Sequence, residues 1–176
     1  TKFKWTAGSY FFYQKAPSKQ AVHFDKDAIY VGSPDTNYAI INTTTGKNTG
    51  IAFFGQASYS INDKIEITAG LRYDNEHRKL DVLGEYKPDA SPEPIFQTQP
   101  DTSSSASFNA VSPTLSLAYH ANKNSNLYIT YSRGFRAGGL TQLSADPSQP
   151  PLYPYKPEYS NNFEAGIKNN FLNSRN

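Results

Sequence analysis

The sequence contains no cysteine, no long apolar run and no excess of one charge. Without cysteine the chain can form neither a disulfide framework nor a zinc site of cysteine ligands. No stretch reaches the roughly 18 apolar residues that predict a transmembrane helix. The formal net charge is +2 and the charges are dispersed, so the basic footprint of a nucleic-acid-binding protein is missing. These absences do not exclude a membrane β-barrel, because the strands of such a barrel are apolar on only one face.

Signatures of catalysis and of metal binding are also missing. His23, His77 and His120 are scattered and match no metal-ligand spacing. No serine lies in a G-x-S-x-G elbow. Glu76 and His77, close to Asp74, could hold a cation, but a solvated cluster at a strand end is the more common arrangement. We therefore expect no enzyme activity, no cofactor and no metal site.

Aromatic residues, in contrast, are abundant, and apolar residues recur with a period of two. The chain has 13 Tyr and 11 Phe. In residues 65–74 every odd position is apolar or aromatic, and most even positions are polar, charged or Gly. Side chains alternate between faces along a strand, so this pattern predicts a strand with one apolar and one polar face. The same parity predicts about six strands, the others near residues 3–14, 51–61, 111–120, 127–132 and 162–168.

A soluble antiparallel sandwich also alternates, so the length of the strands and the placement of the aromatics must decide. The predicted strands run to about ten residues, the length of a tilted membrane strand, whereas soluble strands average about five or six. Aromatic residues also concentrate near the strand ends, as in the interfacial girdles of membrane barrels. One rim would hold Trp5, Tyr59 and Tyr119, and the other Tyr13, Tyr73 and Tyr131.

The links between the predicted strands alternate between short and long. Residues 62–64 and 121–126 are short and polar, whereas about 15–48, 77–107 and 136–157 are long. Outer-membrane barrels combine short periplasmic turns with long extracellular loops, and loops of this length are rare in compact soluble domains. The fold class predicted is therefore all-β: an antiparallel, up-and-down transmembrane β-barrel segment. Six strands leave open edges, which lipid does not tolerate, so either the rest of the barrel lies outside this chain or the chain is not a membrane protein.

Two motifs resemble a known family. The segment Tyr128–Gly139 is similar to the pattern YxxYSxGFxxGG of TonB-dependent receptor barrels, and Lys156–Lys168 resembles their PExSxxYExGxK strand. The resemblance implies a barrel of about 22 strands with a plugged lumen. It also implies that residues 1–176 are a middle portion of that barrel, without the plug domain and the C-terminal strands. The first residues show no signal peptide, which fits the expectation of a fragment.

This resemblance further implies a function and a set of partners. Such receptors import a scarce ligand across the outer membrane of a Gram-negative bacterium. We expect a ferric siderophore or a similar iron chelate, although haem, cobalamin and oligosaccharide receptors share the same scaffold. The expected partners are outer-membrane lipid, the plug domain and, through the plug, TonB. Two alternatives stay open: a soluble β-rich extracellular module, such as an adhesin or a carbohydrate binder, and a passive porin or barrel-type enzyme.

Ligand contacts are expected near the top of the fifth predicted strand and in the loop after it. Arg133 and Arg136 flank Phe135, and the loop offers Tyr153 and Tyr155. Arginine can bind an anionic oxygen ligand in bidentate fashion, and aromatic rings stack on flat ligands or on cations. The alternative is that the two tyrosines only pack a proline-rich loop.

Charged residues of even parity are expected to face the lumen. An Arg or Lys at the midplane of the lipid costs roughly 2–4 kcal/mol, so exclusion from lipid explains their parity. They would either pair with one another across a hydrated wall or contact the plug. This predicted lumen-facing wall comprises Glu66, Arg72, Asp74, Glu76, Glu158, Glu164 and Lys168.

Overall fold

The computed structural model describes residues 2–33, 35–142 and 151–169. Antiparallel strands make up nearly all of this part of the chain, with one short 3-10 helix at Lys26–Val31. No helix among the described residues has the length and apolarity needed to cross a membrane. The strands are β1 (Phe3–Phe24), β2 (Tyr38–Ser60), β3 (Ile65–Pro88), β4 (Phe96–Asn122), β5 (Ser125–Arg136), β6 (Gly139–Leu140), β7 (Pro154–Tyr155) and β8 (Glu158–Asn169).

Six of these strands form one up-and-down sheet in the order β1-β2-β3-β4-β5-β8. Each neighbouring pair is antiparallel. Within the described residues β1 and β8 each pair on one side only, so the sheet is not closed. The predicted fold class is confirmed: the molecule is an antiparallel all-β sheet whose open edges are those expected of part of a larger barrel.

Asparagine side chains form both short turns. The side-chain oxygen of Asn62 accepts hydrogen bonds from the backbone N–H groups of Lys64 and Ile65, each at 2.9 Å. The side-chain oxygen of Asn122 accepts one from the N–H of Asn124 at 2.8 Å. Such bonds replace backbone turn contacts and allow the chain to reverse within a few residues. The two predicted short links are confirmed as turns, at 61–64 and 123–124 in the structure rather than 62–64 and 121–126.

Two of the three predicted long links were wrong in extent. β1 continues to Phe24 and β2 begins at Tyr38, so the first link is 25–37 rather than 15–48. β3 continues to Pro88 and β4 begins at Phe96, which reduces the second link from 77–107 to 89–95. The third link runs from 137 to 157, close to its predicted bounds, and its residues 143–150 lie outside the described part.

The reason for this error is that the polarity of the two faces inverts along the sheet. In β3 the odd-numbered residues are apolar from Ile65 to Tyr73 and polar from Asn75 to Asp81. Over the same stretch the even-numbered positions change from charged to apolar, with Leu80 and Val82 both buried. A search for apolar residues of constant parity therefore ends where the inversion begins, although the hydrogen-bonded ladder continues.

The odd-numbered face of the sheet, in the half of each strand nearer the short turns, is a broad apolar surface, called here the apolar face. Its side chains are exposed: Leu115 by 54%, Leu71 by 55%, Ile129 by 56% and Phe163 by 78%. The small β6–β7 sheet, the only second sheet among the described residues, lies against the opposite face. In β1 to β4 the apolar stretch is about nine to eleven residues long, which is the length a tilted strand needs to cross a bilayer.

Candidate functional site

The link between β5 and β8 folds back on itself as a two-stranded hairpin. Gly139 pairs with Tyr155 and Leu140 with Pro154. Beyond this pair, the N–H of Thr141 donates to the carbonyl of Tyr153 at 2.9 Å, and the N–H of Leu152 donates to the carbonyl of Thr141 at 2.8 Å. We call the described residues of this link, 137–142 and 151–157, the strap.

A small apolar core attaches the strap to the even-numbered face of β3 and β4. Leu140 packs against Leu80 and Val82, with Ala106 and Leu152 around them. Val82 is only 1% exposed and Leu140 only 9%. Burying a side chain of this size stabilises by roughly 1.5–3 kcal/mol. The strap therefore crosses from β5 over β4 to β3 on the face opposite the apolar face.

Two glycines allow the strap to lie close to its neighbours. A Cβ atom at Gly138 would lie 2.1 Å from the carbonyl oxygen of Tyr155 and 2.6 Å from the ring of Phe108. A Cβ atom at Gly139 would lie 2.3 Å from the hydroxyl of Tyr155. Backbone blocks any side chain at Gly138, whereas a side chain at Gly139 would require the ring of Tyr155 to move. The Gly-Gly pair of the first motif therefore shapes the strap.

Between the strap and the sheet lies a cavity of about 260 Å³. Its lining is mainly polar and comes from both sides of the gap. The strap contributes Gly139, Leu140, Gln142 and Tyr155, and the sheet contributes Ala16, Pro17, Ser18, Thr44, Gly46, Asn48, Arg78, Lys79 and Leu80.

Arg78 is the charged group of even parity in this cavity. One terminal nitrogen of its guanidinium donates to Glu76 Oε2 at 2.9 Å. Its Nε, in contrast, is buried and has no hydrogen-bond partner among the described residues. A buried donor without an acceptor costs about 1–3 kcal/mol and calls for an explanation such as a bound acceptor. The cavity can therefore take an anionic or oxygen-rich group.

The predicted ligand residues on β5 do not all lie on one face of the sheet. Arg133 and Phe135 lie on the odd-numbered face. The Arg133 guanidinium carbon is 4.3 Å from the ring centroid of Tyr159, and the Phe135 ring is 5.6 Å from the same ring. Arg136 lies on the even-numbered face, where its guanidinium is 3.5 Å from the carboxylate of Glu158. The two arginines therefore point to opposite sides of the sheet.

The two predicted tyrosines belong to the strap, and only one of them lines the cavity. Tyr155 contacts Gly139 and borders the cavity. Tyr153 is 65% exposed, and its backbone N–H donates to the hydroxyl of Thr141 at 2.9 Å. Of the five residues expected to contact a ligand, the structure brings Tyr155 alone into this cavity.

The seven predicted wall residues all lie on the even-numbered face, and most have polar partners. Arg72 and Asp74 form a bidentate pair, with nitrogen–oxygen distances of 2.7 and 2.9 Å. Glu66 accepts from the Ser60 hydroxyl at 3.3 Å, and Glu164 from the Tyr128 hydroxyl at 2.6 Å. Glu76 pairs with Arg78 and Glu158 pairs with Arg136. Lys168 is in register with Asn126. Of the seven, only Arg72 and Asp74 pair with each other, so a wall that faces the lumen stays a prediction.

An aromatic stack joins the ends of β1 to β4 that lie away from the short turns. The rings of Phe24, Tyr38, Tyr86 and Phe96 follow one another at centroid distances of 4.8, 4.8 and 4.6 Å. The Tyr86 hydroxyl donates to the carboxylate of Asp35, which raises the pKa of Tyr86 to about 12. Stacked pairs contribute about 0.5–1.5 kcal/mol each beyond their burial. The stack therefore stiffens this end of the sheet.

A larger concavity, about 480 Å³, lies on the apolar face between β4, β5 and β8. Its lining is almost wholly apolar, with Leu115, Leu117, Ile129 and Phe163. Ligand sites combine an apolar lining with a few convergent polar groups, which this groove lacks. We treat it as part of the apolar face. No cluster of three or more His, Asp or Glu side chains that could hold a metal ion occurs in residues 2–33, 35–142 and 151–169.

Comparison with known proteins agrees with this architecture. The family described as TonB dependent receptor-like, beta-barrel matches residues 2–176. The crystal structure of the ferric yersiniabactin uptake receptor FyuA from Yersinia pestis superposes with a TM-score of 0.58 at 13% sequence identity. The match covers 97% of this chain and 28% of that receptor, and at this identity it shows the fold alone. Among curated proteins no match was found. The chain therefore belongs to the TonB-dependent receptor-like β-barrel family.

Proposed function

We propose that this chain is part of the wall of an outer-membrane active-transport receptor of a Gram-negative bacterium. Membership of the family supports the general role. In the proposal the apolar face contacts lipid, and the even-numbered face borders a hydrated lumen that holds the plug, through which TonB supplies energy. The observation that carries the lipid contact is the exposure of the apolar face, since an uncovered apolar surface of this extent is unusual on a soluble protein.

The distribution of charge also supports this orientation. Along β3 the apolar stretch Ile65–Tyr73 faces one way, and Glu66, Arg72 and Asp74 face the other. Asp74 is 8% exposed and held by the guanidinium of Arg72. Charges are expensive in lipid but tolerated in a hydrated, mutually paired wall. The two faces of one strand therefore suit two different surroundings.

For the ligand we propose a ferric siderophore or a similar iron chelate. The buried, unpartnered Nε of Arg78 and the nearby ring of Tyr155 provide a cationic donor and an aromatic surface in one cavity. Anionic chelates offer oxygen acceptors to the first and flat groups to the second. The cavity is smaller than the roughly 300–1,000 Å³ of a complete ligand site, so it would hold one arm of the chelate. The similar fold of a ferric yersiniabactin receptor is in keeping with this class.

In the proposed orientation the five predicted ligand residues have different surroundings. Tyr155 and Arg136 stay candidates, because both are on the side of the lumen. Arg133 and Phe135 would instead belong to the rim of the lipid-facing surface, with the Arg133 guanidinium over the ring of Tyr159. Tyr153 would be available to a ligand that approaches the exposed side of the strap.

Binding of ferric chelates to the full-length receptor tests the ligand class. A panel of catecholate, hydroxamate and phenolate chelates would be titrated against the wild type, Arg78→Gln and the control Lys168→Gln, which changes a charge on the same face at the other end of the sheet. A hydrogen bond to a charged group contributes about 1.5–3 kcal/mol, so Arg78→Gln should weaken binding at least tenfold and the control should not. Binding of no ferric chelate by a correctly inserted receptor would refute the ligand class. Unchanged affinity of Arg78→Gln would remove only this residue from the site.

A further inference from the structure

Three lysines lie side by side on the odd-numbered face just beyond the apolar stretch. Lys15 is in register with Lys47, and Lys47 with Lys79. The row is two residues beyond the row of Tyr13, at a distance of about 7 Å along the strand. Tyr13 itself is 61% exposed on the same face. The lysines are therefore the first charges met on leaving the proposed lipid layer.

One carboxylate, that of Asp81, forms ion pairs with two of these three lysines. Asp81 Oδ2 is 3.0 Å from the Lys47 ammonium, and Asp81 Oδ1 is 3.3 Å from that of Lys79. The hydrogen bond from Lys47 is the main cause that lowers the pKa of Asp81. The two neighbouring rows on this face of β1 to β4 run through Tyr13 and through Pro17. Among the side chains of these two rows, which all belong to the described residues, Asp81 is the only acidic one. Three cations and one anion leave a net charge of +2.

Such a row is unfavourable unless something else neutralises it. Residues opposite each other on neighbouring strands have Cβ atoms about 4.5–5.5 Å apart, and like charges at that spacing destabilise the sheet. The side chains of Lys47 and Lys79 are 38% and 41% exposed, so their ammonium groups can reach an external anion. Lysine is a compact point charge suited to phosphate, and its stem can extend over apolar surface.

We propose that Lys15, Lys47 and Lys79 bind the phosphate groups of lipid headgroups in the leaflet at this end of the apolar face. The inference rests on the proposed membrane location of the receptor. The position of the row favours a lipid over a soluble anion, because Lys15 is two residues beyond the exposed Tyr13 of the apolar face, and Lys47 and Lys79 are in register with Lys15 on the next two strands. The row would hold the wall at a fixed depth and select anionic lipid around it.

The test uses the full-length receptor in phosphatidylcholine bilayers that contain spin-labelled phosphatidic acid. The relative association constant of the labelled lipid is measured for the wild type and for the triple variant Lys15→Gln, Lys47→Gln, Lys79→Gln. A control triple variant carries Lys2→Gln, Lys64→Gln and Lys123→Gln, an equal change of charge at the other end of the strands. A basic residue near an anionic surface contributes about 1 kcal/mol, or roughly fivefold. The first triple variant should therefore lose at least tenfold in preference, and the control should not.

Two further measurements make the outcome decisive. Asp81→Asn raises the net charge of the row and should strengthen the preference, and added salt should weaken it. Equal lipid preference in the wild type and the first triple variant would overturn the proposal. Displacement of the labelled lipid by millimolar inorganic phosphate would overturn it too, since the source would then be a free anion. Failure of the wild-type receptor to insert into the bilayer would instead count against the proposed membrane function.

Discussion

Replacement of Leu115 by arginine separates a lipid-facing surface from a water-facing one. Leu115 lies midway along the apolar stretch of β4, between Val111 and Tyr119, and is 54% exposed. If that face met water, an exposed substitution would change stability by about 0.5 kcal/mol or less. If it meets the lipid midplane, the cost is roughly 2–4 kcal/mol. A cost of about 2 kcal/mol changes the ratio of folded to unfolded protein by a factor of roughly 30.

The neighbouring residue provides the matched control. Thr114 precedes Leu115 on the same strand and faces the other way, in register with Gly70 and Ser132. Thr114→Arg should cost much less, because the proposed lumen is hydrated. Tyr119→Arg, at the end of the apolar stretch, should cost about 0–1 kcal/mol. Equilibrium unfolding of the full-length receptor by guanidinium in lipid vesicles measures all three. Equal costs for Leu115→Arg and Thr114→Arg would refute the orientation of the sheet.

Two more predictions concern the strap and the far end of the sheet. Gly138→Ala places a methyl group 2.1 Å from the carbonyl oxygen of Tyr155, so we expect the protein to lose about 1–3 kcal/mol of stability and the strap to exchange its amide hydrogens faster. The control is Gly46→Ala, whose nearest contact is at 3.8 Å. Equal exchange rates in the two variants would contradict the prediction. The hydrogen bond to Asp89 raises the pKa of His23 above 6.5. This contact therefore stabilises the folded protein below pH 6.5, and its contribution is lost as the pH rises through the raised pKa. An NMR titration of His23 with a midpoint at or below pH 6.5 would contradict this prediction.

The sequence was sufficient for the part of the fold in which one physical rule holds throughout. From Ile65 to Tyr73 the alternation is unbroken, and the register joins its odd-numbered residues to those of β2 and β4. The rule holds because each side chain on one face meets the same apolar surroundings. The number of strands, their direction and the two Asn-based turns follow from this alternation and from local turn chemistry.

The same rule fails beyond Tyr73 because the surroundings change. There the odd-numbered face carries Lys79 and Asp81, and the even-numbered face carries Leu80 and Val82 beneath the strap. Each segment still alternates, but with the opposite parity, and a prediction made with constant parity interprets the inverted segment as a loop. Allowing the parity to invert within one strand would have recovered the long strands from the sequence alone.

The candidate site was hidden for a related reason. Arg78 lies in the inverted segment, so constant parity places it in a loop and outside the wall, although it continues the even parity of Glu76. Its role depends on the strap, which reaches β3 through Leu140, a contact between residues far apart in sequence. Local patterns carry no information on such a contact. The strap residues Gly139, Leu140 and Tyr155 close one side of the cavity that Arg78 lines. The strap therefore turns an ordinary wall arginine into a candidate ligand contact, and loosening it with Gly138→Ala should weaken chelate binding together with Arg78→Gln.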